Sequence, residues 1–368
     1  MKTIQVKTES GRYAVVCERG LLSRIRQIVE KLRDGGEVFL LSSPRVWKFW
    51  GKGVARALRL PQERVVLFDD REIAKRVFTV EGICRKLARA RADRRTLLVA
   101  SGGGVVGDVA GFAAASYLRG VRLVHVPTTL VSQVDSAIGG KTGVDLPEGK
   151  NLVGAFHQPE MVIADPMTLR TLPARQFRSG LYEVIKYGVI GDAELFNFLE
   201  GEIAKLLRMD MRSLEWVIER GARQKARIVS KDERESGLRQ VLNFGHTIGH
   251  ALETLTGYKR FLHGEAVGWG MLGATRIAVA NGRLTEPDAN RIALLVARCG
   301  RLPDLPRISA EAFLRVIAGD KKSRGGRVGW VLPRGIGTAE IGVNVPDRVV
   351  AKVWRELPAL YARGRKEN

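Results

Sequence analysis

Residues 96–108 read TLLVASGGGVVGD, and residues 109–118 are almost all small or apolar. The apolar run predicts a buried strand, and the residues after the glycines predict a helix. Gly102, Gly104 and Gly107 therefore have the GxGxxG spacing at a strand–turn–helix junction, where the amides of the helix N-terminus can face a dinucleotide pyrophosphate. A tight glycine turn without a ligand is the alternative interpretation.

The pattern lacks the acidic residue that usually follows about twenty positions later and binds the ribose hydroxyls. Residues 124–130 read VHVPTTL instead. If a dinucleotide binds at this turn, we therefore expect its ribose contacts to come from elsewhere in the chain.

The residues around the turn predict a layered α/β domain over 1–172. Short β-branched runs alternate there with helical patterns, which is typical of a mostly parallel sheet covered by helices. The predicted strands are 37–41, 64–68, 96–100, 121–126 and 161–164. The predicted helices are 21–33, 46–58, 79–92 and 106–118.

The rest of the chain predicts a second, all-α domain over 173–368. Apolar residues recur there with a period near 3.6, and no repeat or low-complexity linker interrupts them. We expect the two domains to meet along a broad cleft. The predicted helices are 181–190, 193–208, 212–230, 244–256, 264–281, 286–299 and 309–318.

Composition limits the possible function classes. The chain has 368 residues and a formal net charge of +22, but acidic residues lie among the basic ones and few aromatic residues are available for base stacking. We therefore expect no nucleic-acid partner. The three cysteines have no paired spacing, and no apolar stretch is long enough for a signal peptide or a membrane span. These features predict a cytoplasmic protein without a membrane partner.

Three of the five histidines lie close together in the sequence. His246 and His250 lie on one face of a predicted helix, and His263 follows after a loop. Glu183 lies in an otherwise apolar helical stretch, where an unpaired carboxylate is costly to bury. Two imidazoles, a carboxylate and an open position are typical of a catalytic zinc site. Ordinary capping or core histidines are the alternative, because no metalloprotease glutamate lies between His246 and His250.

Several lysines lie among glycine or apolar residues instead of on a charged helix face. A solvated surface position is the default interpretation for any one of them. Considered with Arg119 and Arg239, they favour a small polyanionic substrate that carries phosphate or carboxylate groups. These lysines are Lys141, Lys150, Lys186, Lys321 and Lys322.

These motifs resemble the 3-dehydroquinate synthase family within the wider group of sugar-phosphate cyclases. With weaker similarity between the motifs, the resemblance covers nearly the whole chain. It implies an α/β N-terminal nucleotide-binding domain with a mostly parallel sheet, plus an all-α C-terminal metal-binding domain. The motifs are GGGVVGDVAGFAAA at 102–115, VPTTL at 126–130, VDS at 134–136, GGKTG at 139–143, GKNL at 149–152, RSGLYEVIKYG at 178–188, LNFGHT at 242–247 and LHGEAV at 262–267.

The resemblance also implies roles for individual residues. Zinc, or cobalt in its place, would be bound by Glu183, His246 and His263, which leaves His250 facing the substrate. Arg119 would reach the substrate from a second subunit, which implies a homodimer. NAD would contact Glu72, Lys75, Gly103, Gly104, Asp108, Thr128, Thr129, Lys141, Lys150 and Leu172. The substrate pocket would contain Asp135, Lys141, Lys150, Asn151, Lys186, Lys225, Arg239, Asn243, His250 and one of Lys321 and Lys322.

The family converts 3-deoxy-D-arabino-heptulosonate 7-phosphate to 3-dehydroquinate and phosphate in the shikimate pathway of chorismate and aromatic amino acid biosynthesis. Transient NAD-dependent oxidation is followed by phosphate elimination, re-reduction and intramolecular aldol closure. Another sugar-phosphate cyclase, acting on sedoheptulose 7-phosphate or glucose 6-phosphate, is one alternative. A metal-dependent polyol dehydrogenase, which would consume NAD stoichiometrically, is another.

Two departures from the family pattern concern the nucleotide. The family usually has a carboxylate after the strand at 37–41, where this chain reads Ser-Ser-Pro-Arg at 42–45, and its Asp-Gly-Glu stretch is Asp-Arg-Glu at 70–72. Ser43 and Arg71 make the expected pocket less acidic or more basic. NAD is the expected cofactor, and NADP remains an alternative.

Overall fold

The computed structural model describes residues 2–319 and 328–366. It divides into two compact units, one formed by 1–173 and 214–234 and the other by 174–213 and 235–368. The first break lies one residue from the predicted domain boundary. The segment 214–234, however, groups with the first unit, so the predicted second domain is not contiguous in the structure. The predicted substrate lysines at 321 and 322 lie outside the described residues.

The first unit contains a seven-stranded sheet and a separate two-stranded hairpin. Its strands are β1 (Lys2–Thr8), β2 (Gly11–Cys17), β3 (Val38–Ser42), β4 (Val65–Leu67), β5 (Leu97–Gly102), β6 (Arg122–Pro127), β7 (Lys141–Leu146), β8 (Gly149–Phe156) and β9 (Met161–Ala164). The sheet has the order β1-β2-β9-β6-β5-β3-β4, and β7 pairs with β8. Within the sheet only β1 and β2 pair antiparallel, which confirms the predicted mostly parallel sheet.

Helices of the first unit cover the sheet on both faces. Alternate residues of β5 explain this arrangement, because a strand points successive side chains to opposite faces. Leu98 and Ala100 belong to one apolar core, and Leu97 and Val99 belong to the other. The α-helices within residues 2–173 are α1 (Ile25–Leu32), α2 (Pro44–Val46), α3 (Lys52–Ala57), α4 (Val77–Arg89) and α5 (Gly104–Ser116).

The remaining elements are mainly helical, as predicted. The helices are α6 (Ala174–Gly191), α7 (Ala193–Leu207), α8 (Met211–Lys231), α9 (His246–Leu255), α10 (His263–Ala280), α11 (Glu286–Cys299), α12 (Ala310–Ala318) and α13 (Asp347–Lys366). An antiparallel hairpin that the periodicity did not predict adds β10 (Trp330–Gly335) and β11 (Thr338–Val343). Across the described residues, no helix combines the length and the apolar content that a membrane span requires.

Most of α8 belongs to the first unit because of its packing. Ala222, Ala226 and Val229 lie in one apolar cluster with Ile4 and Val6 of β1. The periodicity of α8 correctly indicates an apolar face, but periodicity does not identify the element that covers that face.

Two glycines bring the helices of the second unit into close contact. A Cβ atom on Gly264 would lie 1.9 Å from the carbonyl oxygen of Ser179, and one on Gly270 would lie 1.7 Å from that of Gly245. Helix α10 therefore packs backbone to backbone against α6 and against the start of α9. This packing brings the first residues of α9 and α10 next to the middle of α6.

Candidate functional site

Glu183, His246 and His263 converge in the second unit. Glu183 lies within α6 and is 1% exposed, while the two histidines are the first residues of α9 and α10. His263 Nε2 lies 3.2 Å and His246 Nε2 lies 3.8 Å from Glu183 Oε1. One ligand atom from each of the three residues lies within 4.8 Å of the others. These are the three residues that the resemblance assigns to the metal.

The hydrogen bonds of the two histidines fit a metal centre. His246 Nδ1 lies 3.1 Å from the carbonyl oxygen of Phe244, so the tautomer that donates there leaves the Nε2 lone pair directed at the cluster. His263 Nδ1 lies 3.4 Å from Glu253 Oε2. Burial opposes charge on His263, but the charge of Glu253 and hydrogen bonds to Glu183 and Glu253 raise its pKa to about 10. The surroundings of His263 therefore favour a positive charge nearby, which a bound metal cation would supply in place of the proton.

Glu253 was not predicted from the sequence. It is 3% exposed, and together with His250 and His263 it forms a second group whose ligand atoms lie within 4.8 Å of one another. Its spacing of three residues from His250 on α9 was a visible signal, since such residues share a helix face. Glu253 is therefore a candidate orienting partner for His263, like the outer carboxylates of many histidine–zinc sites.

Other charged and polar candidates lie in the same unit. Lys186 is 1% exposed, and its Nζ lies 2.5 Å from Glu183 Oε2. Arg239 is buried in the short helix Leu238–Asn243, which packs against α6. Asn243 Nδ2 donates to Glu235 Oε1 at 2.8 Å, and Glu235 is a second polar residue of this region that the sequence did not predict.

The glycine turn in the first unit has the predicted strand–turn–helix form. Gly107 N donates to Gly103 O at 3.0 Å, and Thr128 N donates to Gly102 O at 2.9 Å. A Cβ atom on Gly103 would lie 2.9 Å from Thr129 Cγ2. Hydrogen bonding and close packing therefore join the ends of β5 and β6 at the turn, and bring the candidates Gly103, Thr128 and Thr129 together.

Five more candidates form a polar network in the same unit. Lys75, which is 3% exposed, donates from Nζ to Asp108 Oδ2 at 2.6 Å and also to Asn151 Oδ1. Burial lowers the pKa of Lys75, but the charges of Asp108 and Glu72 outweigh this effect and raise it. Lys150 Nζ lies 3.2 Å from Glu72 Oε1. The network thus joins residues that the resemblance assigns to NAD with residues that it assigns to the substrate.

The remaining candidates lie in several places within the first unit. Lys225 of α8 pairs with Asp135. Gly104 is the first residue of α5, and Arg119 lies beyond its end with a φ of 68°. Lys141 begins β7, and Leu172 caps the short helix Pro166–Thr171.

The two departures from the family pattern have a structural counterpart. Ser43, which follows β3, donates from Oγ to Asp70 Oδ2 at 2.9 Å, and Arg45 lies 3.9 Å from Asp70 Oδ1. Arg71 is bound to Asp69 through two nitrogens, at 2.8 Å and 2.6 Å from Oδ2. The loop after β4 therefore places the carboxylate of Asp70 at the end of β3, where the sequence itself has none.

Comparison with known proteins agrees with this geometry. The family models for the N-terminal and C-terminal parts of 3-dehydroquinate synthase match residues 65–179 and 180–323. A 3-dehydroquinate synthase of Koribacter versatilis (strain Ellin345) is 43% identical over 366 residues, covering 98% of this chain and 99% of the relative.

Two solved cyclases have closely similar structures. The 2-epi-5-epi-valiolone synthase of Streptomyces hygroscopicus subsp. jinggangensis 5008, with NAD+ and Zn2+ bound, has a TM-score of 0.86 at 30% identity, covering 95% of this chain and 97% of that one. A 2-deoxy-scyllo-inosose synthase complexed with carbaglucose-6-phosphate, NAD+ and Co2+ also has a TM-score of 0.86, at 28% identity, covering 96% of this chain and 100% of that one.

Proposed function

The chain belongs to the 3-dehydroquinate synthase family, and we propose that it converts 3-deoxy-D-arabino-heptulosonate 7-phosphate to 3-dehydroquinate and inorganic phosphate. The observation that carries this proposal is the convergence of Glu183, His246 and His263, within a chain that matches the family along most of its length. Two imidazoles and one carboxylate suit zinc, and cobalt accepts the same donors.

When bound, NAD supplies a reversible hydride acceptor, and the metal supplies a Lewis acid for the substrate hydroxyl oxygens. Glu183, His246 and His263 would hold the metal. Lys186 restrains the second carboxylate oxygen of Glu183 and would orient a substrate hydroxyl. Because Glu183 and Lys186 are both buried, their mutual attraction is weakly screened by water.

The substrate carries two anionic groups, and the proposed residues divide between them. Arg239 and Lys225 would bind its carboxylate. Lys141, Arg119, His250 and one of Lys321 and Lys322 would bind its phosphate and neutralise the charge that develops as the phosphate leaves. We assign no protein base to the elimination, because the phosphate group of the substrate can accept that proton.

NAD would bind to the first unit. The turn after β5 presents the N-terminus of a 13-residue helix, whose amides favour an anion such as a pyrophosphate. Glu72, Lys75 and Asp108 form the polar network beside it, and Thr128, Thr129 and Leu172 would complete the contacts. Glu72 would bind the ribose hydroxyls, since no acidic residue follows the glycine pattern at the usual distance.

One assay tests the function. Purified protein is given the heptulosonate phosphate, catalytic amounts of NAD, and zinc, and both phosphate and 3-dehydroquinate are measured. We expect equal amounts of the two products and no net accumulation of NADH. Parallel reactions contain sedoheptulose 7-phosphate, glucose 6-phosphate or a simple polyol. Turnover of one of these in place of the heptulosonate, or stoichiometric formation of NADH, would contradict the proposal.

We also propose a cytoplasmic homodimer. Apolar side chains on the surface of the first unit support self-association, since Ile73 and Phe78 are 73% and 80% exposed. Leu118, next to Arg119 at the end of α5, is also exposed, and α5 packs against α4, which carries Phe78. Light scattering during size-exclusion chromatography should give twice the mass of the chain. A monomeric mass throughout the working concentration range would contradict this part of the proposal.

A further inference from the structure

The hairpin of β7 and β8 contains a bulge at a position where two site candidates lie. Val144 pairs with Val153, and Leu146 pairs with Gly149. One residue of β7, Asp145, therefore lies opposite the three residues 150–152 of β8. Bulges of this kind redirect side chains and are frequent near active sites. The bulge carries Lys150 and Asn151, both of which the proposed function uses.

Asp145 binds the backbone of the bulge directly. Its Oδ1 accepts a hydrogen bond from Asn151 N at 2.8 Å, and its side chain is buried. Asn151 has a φ of 53°, in the left-handed region that residues other than glycine rarely adopt. The carboxylate of Asp145 thus satisfies a backbone donor at the one residue of the bulge whose conformation is unfavourable.

Asp145 is itself held by the segment that carries the nucleotide candidates. Its N donates to Lys75 O at 2.8 Å, and its O accepts from Arg76 Nη1 at 3.3 Å. Lys75 in turn donates to the side chain of Asn151. Three separate contacts therefore join Asp145, the bulge and the segment 72–76. The two contacts of Asp145 to this segment use its main chain and anchor the hairpin there, while its side chain binds the backbone of the bulge.

We infer that Asp145 is a positioning residue, which holds the bulge so that Lys150 and Asn151 present their side chains to the phosphorylated sugar. This inference rests on the proposed function. The hydrogen bond to the bulge requires an acceptor at Oδ1 and not a negative charge, because the group that Asp145 binds there is a neutral backbone amide. Asparagine preserves this acceptor, whereas alanine removes it.

The test compares Asp145→Ala, Asp145→Asn and the wild-type chain in steady-state kinetics. We expect Asp145→Ala to raise KM for the heptulosonate phosphate about tenfold or more, with kcat and the Kd for NAD changed by less than about threefold. Asp145→Asn should behave like the wild type. Thr142→Val is the matched control, because it removes a hydrogen bond from Thr142 Oγ1 to Ala155 O in the same hairpin but outside the bulge. It should leave KM unchanged.

A second readout does not depend on turnover. Hydrogen–deuterium exchange in a peptide spanning 145–152 should be faster in Asp145→Ala than in Asp145→Asn, because only the former exposes the Asn151 amide. An unchanged KM in an active Asp145→Ala, or an equal rise in KM in Asp145→Asn, would overturn the inference. If the wild type itself releases no phosphate, the proposed function fails, and the exchange comparison still decides whether Asp145 holds the bulge. If the alanine variant does not fold, Asp145→Ser, whose hydroxyl is too short to reach the amide, takes its place.

Discussion

Lys186 Nζ lies 2.5 Å from Glu183 Oε2, and the side chains of both residues are 1% exposed. The other oxygen of the same carboxylate faces His263. Glu183 therefore lies between a fixed ammonium group and the imidazoles that would share a metal with it. A buried charge needs such compensation, because neither residue reaches water.

We predict that the buried pair responds cooperatively to mutation. Lys186→Met leaves Glu183 without its ammonium partner and should lower the free energy of unfolding by about 3–5 kcal/mol in chelator-treated protein. Glu183→Gln/Lys186→Met should recover more than half of that loss, since it leaves neither charge buried. Urea denaturation of the wild type, Lys186→Met, Glu183→Gln and the double variant measures this coupling. Additive losses would show that the two side chains do not interact.

We predict that Glu253 strengthens metal binding without being one of the three ligands of the proposed centre. Glu253→Gln should weaken zinc affinity by about 10–100-fold, because His263 loses the carboxylate that orients its ring. His263→Ala should abolish stoichiometric binding and turnover but leave the chain folded. His157→Gln, which changes a histidine of the first unit, is the control. Metal analysis after dialysis measures these effects, and wild-type affinity in Glu253→Gln would exclude the orienting role.

We predict a preference for NAD over NADP that depends on Asp70. The carboxylate held by Ser43 should repel a 2′-phosphate, so the wild-type chain should bind NAD at least about tenfold more tightly than NADP. Asp70→Asn should narrow this ratio, because Arg45 then lies beside a neutral side chain. Calorimetric titration of the metal-free protein with each nucleotide measures the ratio. Equal or tighter binding of NADP by the wild type would overturn the assignment of NAD.

We predict that buried His125 makes the stability of the chain fall in mild acid. Burial, assisted by the charge of His157, lowers the pKa of His125 to about 4. The unfolded chain therefore binds a proton between about pH 6.5 and pH 4 that the folded chain does not, and stability is lost as the pH falls through this window. Between pH 7 and pH 5, the free energy of unfolding measured by urea denaturation should fall by about 2 kcal/mol more in the wild type than in His125→Gln. An equal fall in the free energy of unfolding of the two proteins would show that His125 does not contribute to the acid sensitivity.

We predict that inactive subunits complement one another if Arg119 acts across a dimer. Arg119→Ala and His263→Ala should each have little activity as pure proteins. In a re-equilibrated equimolar mixture, half of the dimers carry one subunit of each type, and each such dimer has one site with both native residues. Activity should then return to about a quarter of the wild-type value. A mixture that stays inactive would place Arg119 in its own subunit's site, and an active Arg119→Ala protein would place Arg119 outside the site.

Local patterns predicted most of the regular structure. The run at 96–100 and the glycines after it form β5 and the start of α5, and the seven helices expected after 173 correspond to α6–α12. The strands β1 and β2 were missed, although Ile4 and Val6 alternate with polar residues in β1. Alternation over so short a stretch indicates a strand only weakly until a partner strand is known.

Four acidic residues near the proposed site were not predicted from the sequence, for a different reason. Glu253, Glu235, Asp70 and Asp145 are ordinary acidic residues in the sequence, and a solvated position is the natural expectation for each. Their partners are a histidine on another helix, an asparagine eight residues away, a serine after another strand and a backbone amide across a hairpin. Packing between elements or strand register brings Glu253, Asp70 and Asp145 to these partners.

The sequence by itself determined the period of each apolar pattern, the glycine turn, the donor types of the metal cluster and the family. These depend on neighbouring residues or on motifs that can be read along the chain. The tertiary structure decided that most of α8 covers the sheet of the first unit, that Asp70 supplies the carboxylate at the end of β3, and that Glu253 lies beside His263 and Asp145 beside the backbone amide of Asn151. The reason is physical. The burial of a side chain and its hydrogen-bond partners depend on how elements pack, and the sequence of one segment does not identify the residue that it contacts on another.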